Sequence, residues 1–221
     1  MKCCQCEAIE SHFDYQKAAK ELEQYQRGGP SKNTKMLIDA TIAEGIKGMT
    51  LLDIGGGVGS IQHELLKAGV SKCLNVEASS AYIKAAREEA DRQNHADCIS
   101  HLHGNFVDLA ADVPDCDIVT LDRVICCYHD VNALVDLSSE RAREIYSIVY
   151  PRNTWWTRKY TALDNLILGI RRNPFRSFVH PTEVVEGIIR SKGFERRFFR
   201  EVGYWQVVVY RRNHDNRVLS E

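Results

Sequence analysis

Residues 51–60, Leu51-Leu52-Asp53-Ile54-Gly55-Gly56-Gly57-Val58-Gly59-Ser60, decide the fold class. An apolar strand runs into a glycine-rich turn, and a helix-favouring stretch over 60–68 follows and stops at Gly69. Glycine reaches positive φ without penalty and lets the backbone approach a ligand where a Cβ would intrude. The start of the following helix offers unpaired N–H groups. The register separates this turn from two familiar phosphate loops. A nicotinamide or flavin fingerprint needs its third glycine three residues after the second, yet counting from Gly57 gives Ser60. No Gly-Lys-Ser/Thr follows, so a nucleoside-triphosphate loop is excluded.

Outward from this turn, short apolar runs at 50–54, 72–77, 98–103, 117–122 and 146–150 alternate with helical stretches at 60–68, 80–93 and 131–144. That alternation predicts parallel strands joined by crossover helices, an α/β fold. Before residue 49 the chain is polar and helical, with Ile38, Ile42 and Ile46 on one face, and RGGPSKNT over 27–34 breaks it in two. Beyond Tyr150 lies an irregular stretch carrying Trp155, Trp156 and RRNPFRSFVHP. A helix follows, with Pro181 near its first turn, Val184, Val185, Ile188 and Ile189 on one face, and Gly193 at its end. FERRFFREV and WQVVVYRR flank Gly203-Tyr204 and predict a closing hairpin. The expected organisation is a helical cap over 1–48, one domain over 49–212 and a frayed tail over 213–221.

The 29 Lys and Arg against 30 Asp and Glu leave a net charge of −1, so no global field draws the chain to nucleic acid or an anionic membrane, and either partner would need a local patch. No apolar run reaches the roughly 20 residues that span a bilayer, and MKCCQCEAIE lacks the apolar core of a secretory signal, so a cytoplasmic protein is expected. Its eight cysteines are then read as reduced thiols. Cys3, Cys4 and Cys6, with His12 beyond, could hold zinc or a softer metal, but adjacent cysteines are not the usual zinc spacing, and no metal is assigned.

Glu77, 18 residues after Gly59, ends the second strand, where a carboxylate can accept both hydroxyls of a ribose. With Asp53-Ile54-Gly55-Gly56-Gly57-Val58-Gly59, Glu77-Ala78-Ser79, Gly104-Asn105-Phe106 and the strand ending at Asp122, the chain resembles the class I S-adenosylmethionine-dependent methyltransferases over about 49–211. The resemblance implies a Rossmann-like sheet of seven strands, mostly parallel with an antiparallel last strand, and S-adenosyl-L-methionine over the carboxyl ends of the first strands. It implies that Asp53 and the backbone of Gly55, Gly56, Gly57 and Gly59 lie near the methionine part, that Glu77 holds the ribose, that Asn105 lies near the adenine, and that Ala78 and Phe106 belong to the same cofactor site. Asp122 is expected among the cofactor-binding residues, where with Arg123 it could support the pocket or pair with that arginine. From LDRVICCY to VGYWQVVVYRR the chain is most similar to the magnesium-protoporphyrin O-methyltransferase branch, but Cys126 and Cys127 stand where that branch has a His-Tyr pair.

Methyl transfer from a sulfonium asks mainly for alignment, so few catalytic groups are obligatory. Tyr128 and His129, just past the fourth strand, are the candidate catalytic residues. Trp155, Arg176 and His180 are candidates on the substrate side, where an aromatic floor with a basic rim suits a planar or lipid-like acid. His180, before Pro181, also suits a helix cap. The expected partner is a small-molecule acceptor, with an oxygen of an acidic aromatic or porphyrin-like compound as the target. A non-catalytic cofactor sensor or assembly protein and a nucleic-acid methyltransferase are the competing readings.

Overall fold

The computed structural model describes residues 4–213, and side chains from residue 7 onward. Three helices come first, α1 (Cys4–His12), α2 (Tyr15–Gly28) and α3 (Lys32–Ile42). The alternating part follows as β1 (Thr50–Ile54), α4 (Ser60–Lys67), β2 (Lys72–Glu77), α5 (Ser80–Arg92), β3 (Ile99–His103), α6 (Phe106–Leu109), β4 (Cys116–Asp122), α7 (Val131–Glu140) and β5 (Ala142–Pro151). It closes with α8 (Trp155–Ile170), α9 (Thr182–Ser191), β6 (Phe194–Val202) and β7 (Trp205–Arg212). The strands form one sheet in the order β3-β2-β1-β4-β5-β7-β6, and β7 pairs antiparallel with both β5 and β6. The seven-stranded, mostly parallel sheet therefore stands as expected.

Because successive strand side chains alternate sides, each strand feeds two cores. Leu52 and Ile54 join Val119, Leu121, Tyr146 and Ile148 beneath α7 and α9. Leu51 turns the other way, to Ile118, Ile145 and Val149, against Leu37 and Ile38 of α3 and Leu65 of α4. Thus α3 is part of a core layer, although it belongs to the amino-terminal helical region. Ser31 caps it, its hydroxyl accepting the Thr34 N–H, and Asp14 caps α2 in the same way through the Lys17 N–H. Tyr25 donates to Glu64 (2.9 Å) and Gln26 to Glu89 (2.8 Å), fastening α2 across α4 and α5.

Two expectations need correction. The helix expected over 131–144 stops at Glu140, because Ala142 already pairs with Cys116 and β5 runs on to Pro151. The stretch expected to be irregular after Tyr150 contains the sixteen-residue helix α8, opened by a Thr154/Thr157 capping box. Its early tryptophans and β-branched threonines favour helix weakly, and its apolar face does not enter the core, so the usual periodic signal was misleading.

The sheet reverses direction of growth between β1 and β4. Such a switch point opens a crevice at the carboxyl ends of the strands. The glycine turn leaves β1 there, and β4 delivers Asp122 beside it.

Candidate functional site

Gly56 explains the shape of the turn. A Cβ built on it would stand 2.4 Å from Gln62 Nε2, 2.6 Å from Asp53 Oδ2 and 2.7 Å from Asn75 Oδ1. The backbone rests directly on a buried polar platform. Gly57, at φ +57°, adopts the left-handed conformation that side chains disfavour and aims its N–H at Glu77.

Asp53 is fully buried in that platform and accepts from Thr120 Oγ1 (2.6 Å) and Gln62 Nε2 (3.0 Å). Burial pushes its carboxyl up to about 7; the two donors pull down, and the charges of Asp122 and Glu77 push up further. An acid whose folded value lies above its unfolded value, near 3.8, holds its proton in the folded state alone across the interval between them. Stability is therefore full below about 4 and falls as pH rises towards 7. Asp53→Asn keeps the shape and removes the titration. The wild type is expected to lose stability relative to this variant across that window, as read from denaturation midpoints against pH, and parallel profiles would contradict the assignment.

Glu77 ends β2 almost buried, its carboxylate accepting the backbone N–H groups of Gly57 (3.1 Å) and Ser79 (2.8 Å). Burial raises its pKa and the backbone donors oppose the rise. Gly55, Gly56, Gly57, Glu77 and Ala78 form one side of a cavity of about 520 Å³, a size ordinary for a small-molecule site. Asn105 and Phe106 continue that wall. Asn105 caps α6 by accepting the Val107 N–H, and its amide donates to Asp108 (3.0 Å) and the Tyr128 hydroxyl (3.2 Å). Asp122 lines the cavity and accepts from Thr34 Oγ1 (2.6 Å), tying α3 to the end of β4.

Tyr128 reaches the cavity, as do Cys126 and Cys127. Both thiols donate to the carbonyl of Arg123 (3.2 and 3.5 Å), a residue held at φ +62°. They fasten the turn after β4.

Other expected residues lie elsewhere. Asp53 sits beneath the loop, and Gly59, the left-handed N-cap of α4, is set back from the wall formed by Val58 and Ser60. His129 is exposed and stacks on Tyr128 from outside. His180 is buried but gives its Nε2 to the Tyr128 carbonyl (2.9 Å), positioning that residue's backbone. Arg176 donates to the carbonyls of Asn173 and Phe175, both at 2.6 Å, because its own loop curls around it. Trp155 is 72% exposed at the start of α8. Of the region expected to supply an aromatic floor with a basic rim, Phe175 and Ser177 line the cavity, whereas Trp155, Arg176 and His180 do not.

The opposite wall comes from the amino-terminal helices, through His12, Phe13, Tyr25 and Thr34. His12 stacks on Phe175 (4.1 Å between centroids, 12°), and burial lowers its pKa. Asn173 uses its oxygen on the Phe175 N–H and so turns its amide N–H₂ towards His12 Nδ1 (3.3 Å). That makes Nδ1 the acceptor and leaves Nε2 of the neutral ring carrying the proton. The helical composition before residue 49 and the Ile38, Ile42 and Ile46 face predicted an ordered cap here, but no local pattern singled out His12, Phe13, Tyr25 or Thr34 as residues of the cavity wall. Cys3 and the side chains of Cys4 and Cys6 lie outside the described residues. Among the described residues no cluster of three metal-ligating side chains forms, and no helix is long and apolar enough to cross a membrane.

Residues 52–140 match a family model described as a methyltransferase domain. No curated protein matches the sequence. Among solved structures, magnesium protoporphyrin IX methyltransferase from Synechocystis PCC 6803, with S-adenosylhomocysteine bound, is similar at a TM-score of 0.72 and 15% identity, over 93% of this chain and 98% of that one. An O-methyltransferase family protein from Burkholderia thailandensis gives 0.70 and 16%, over 93% and 63%. An S-adenosylmethionine-dependent methyltransferase from Mesorhizobium loti gives 0.63 and 12%, over 80% and 96%. At these identities the structural likeness shows the shared fold.

Proposed function

We infer that this chain carries a class I S-adenosylmethionine-dependent methyltransferase domain and that its cavity serves methyl transfer to an oxygen of a small acidic aromatic or porphyrin-like acceptor. The observation that carries this reading is the cavity's two unlike walls: glycine backbone and a carboxylate on one side, aromatic rings and the His12 imidazole on the other.

The residues present fit the cofactor. Gly56 leaves bare backbone where a Cβ would collide, and the Glu77 carboxylate, braced by two amides, keeps lone pairs for ribose hydroxyls. Gly55–Gly57 would hold the methionine part, Glu77 and Ala78 the ribose, and Asn105 and Phe106 the adenine side. Asp53 holds the loop from below. When bound, S-adenosylmethionine supplies an electrophilic methyl group to a nucleophile aligned in line with its sulfonium.

On the acceptor side, a carboxylate or phenolate needs orientation more than a base, since a carboxylate is already ionised at neutral pH. His12 Nε2–H can donate to such an oxygen, Phe13 and Phe175 bound the space around it, and the Tyr128 hydroxyl is held by Asn105. Helices α1 and α2 close this side against water and act as the cap.

The test is transfer of label from methyl-labelled S-adenosylmethionine to a panel of aromatic carboxylic acids, phenols, porphyrins and RNA. The expected result is label in an acidic aromatic compound and none in RNA; label in RNA, or none in any acceptor despite cofactor binding, would contradict the reading. With an active acceptor, His12→Phe is expected to raise KM by about 10-fold or more, the loss of a hydrogen bond to a charged group, without altering cofactor affinity.

A further inference from the structure

Helix α8 is built backwards for a globular protein. Thr157 and Thr161 are the buried residues of the helix, whereas Ile170 is 75% exposed and Leu166 61%. At 3.6 residues per turn, Trp155, Tyr160, Leu163, Leu166, Ile167 and Ile170 fall within one arc of roughly 140°, facing solvent. An apolar stripe of this length is far from the scattered exposure that monomers tolerate.

The charge around the stripe is mostly positive. Arg158 borders its start, Lys159 rises within it 5.1 Å over the Trp155 ring, and Arg171 and Arg172 close its end. All four are exposed, and Asp164 is the helix's single acidic residue. Long basic side chains beside an apolar face can lay their stems on it and raise their charged ends to an interface, and tryptophan and tyrosine favour the same depth.

We propose that α8 is an interfacial helix that docks the enzyme on an anionic phospholipid surface, lying in the plane of the headgroups with its apolar arc inserted. The basic rim selects this occupant. A second copy meeting the same face about a two-fold axis would bring the cationic rim against itself, whereas anionic lipid is complementary to both rim and stripe. The net charge of −1 gives no general attraction to such a surface, so binding would depend on this local patch. The segment after α8 contributes Phe175 and Ser177 to the cavity wall, so docking sets that wall beside the lipid. The proposal does not depend on which acceptor is methylated.

Sedimentation of the full chain with vesicles tests it. Binding to phosphatidylcholine vesicles containing phosphatidylglycerol is expected to exceed binding to phosphatidylcholine alone by about 10-fold or more and to fall with added salt. Leu166→Glu with Ile170→Glu alters exposed positions and should leave S-adenosylhomocysteine binding intact while abolishing sedimentation. Arg171→Ala with Arg172→Ala should weaken binding by about fivefold per residue. Failure of the wild type to sediment with either vesicle, unchanged sedimentation of the acidic variant, or a dimer in solution that the acidic variant dissociates would overturn the proposal.

Discussion

A Glu77→Ala variant is expected to bind S-adenosylhomocysteine at least about 100-fold more weakly than the wild type while retaining its fold. The size of the loss follows from what the carboxylate does. It accepts the N–H groups of Gly57 and Ser79, so it fixes both the glycine turn and the start of α5, and its remaining lone pairs face the cavity. Hydrogen bonds to a charged acceptor contribute about 1.5–3 kcal/mol each, and losing two to a ribose approaches 3–6 kcal/mol. The variant also leaves two backbone donors without their acceptor, but these lie beside the cavity, where water can reach them. Calorimetry with the homocysteine product, alongside a thermal melt, separates the two effects. A binding constant within about threefold of the wild type, with an unchanged melt, would remove Glu77 from the cofactor site.

The second large effect is expected at Gly56. Adding one methyl group there sets a carbon within 2.7 Å of three buried polar atoms on different elements, from Asp53 on β1, Gln62 on α4 and Asn75 on β2. None can retreat without breaking a contact. Asp53 is bound to Thr120, Gln62 to Asp53, and the Asn75 amide to His101. Gly56→Ala is therefore expected to cost about 1–3 kcal/mol as overpacking, a fall in Tm of roughly 2–4 °C per kcal/mol for a chain of this size. The loop must then lift, and cofactor affinity should drop by at least about 10-fold. Gly28→Ala supplies the control, since a Cβ there meets nothing within 4 Å. Equal stability and affinity in Gly56→Ala and the wild type would show that the loop does not rest on the platform.

These two residues were also the most legible in the sequence, for a physical reason. A strand that ends in a glycine turn, and an acid at the end of the next strand, are local patterns whose neighbours in space are near neighbours in the chain. The parallel strands were legible from their apolar runs, and the closing hairpin from Gly203-Tyr204. What escaped depended on distant pairings. His12 lines the cavity stacked on Phe175, more than a hundred residues away in the chain, a pairing that no local pattern shows. Asp53 fits the cofactor motif, yet its burial on Thr120 makes it a support beneath the loop. Arg176 and Trp155 carried chemistry suited to an acidic aromatic acceptor, but one is consumed by its own loop carbonyls and the other faces solvent. Helix α8 was missed because its hydrophobic period points outward, and the rule that apolar faces turn to the core does not hold there.

The most direct test of the cavity assignment is calorimetric titration of the wild-type chain with S-adenosylhomocysteine, with NAD in parallel. The account predicts saturable binding of the adenosyl ligand at one site per chain, in the micromolar range, and no heat from NAD, because the glycine register does not suit a dinucleotide pyrophosphate. Absence of S-adenosylhomocysteine binding, or equal binding of NAD, would contradict it.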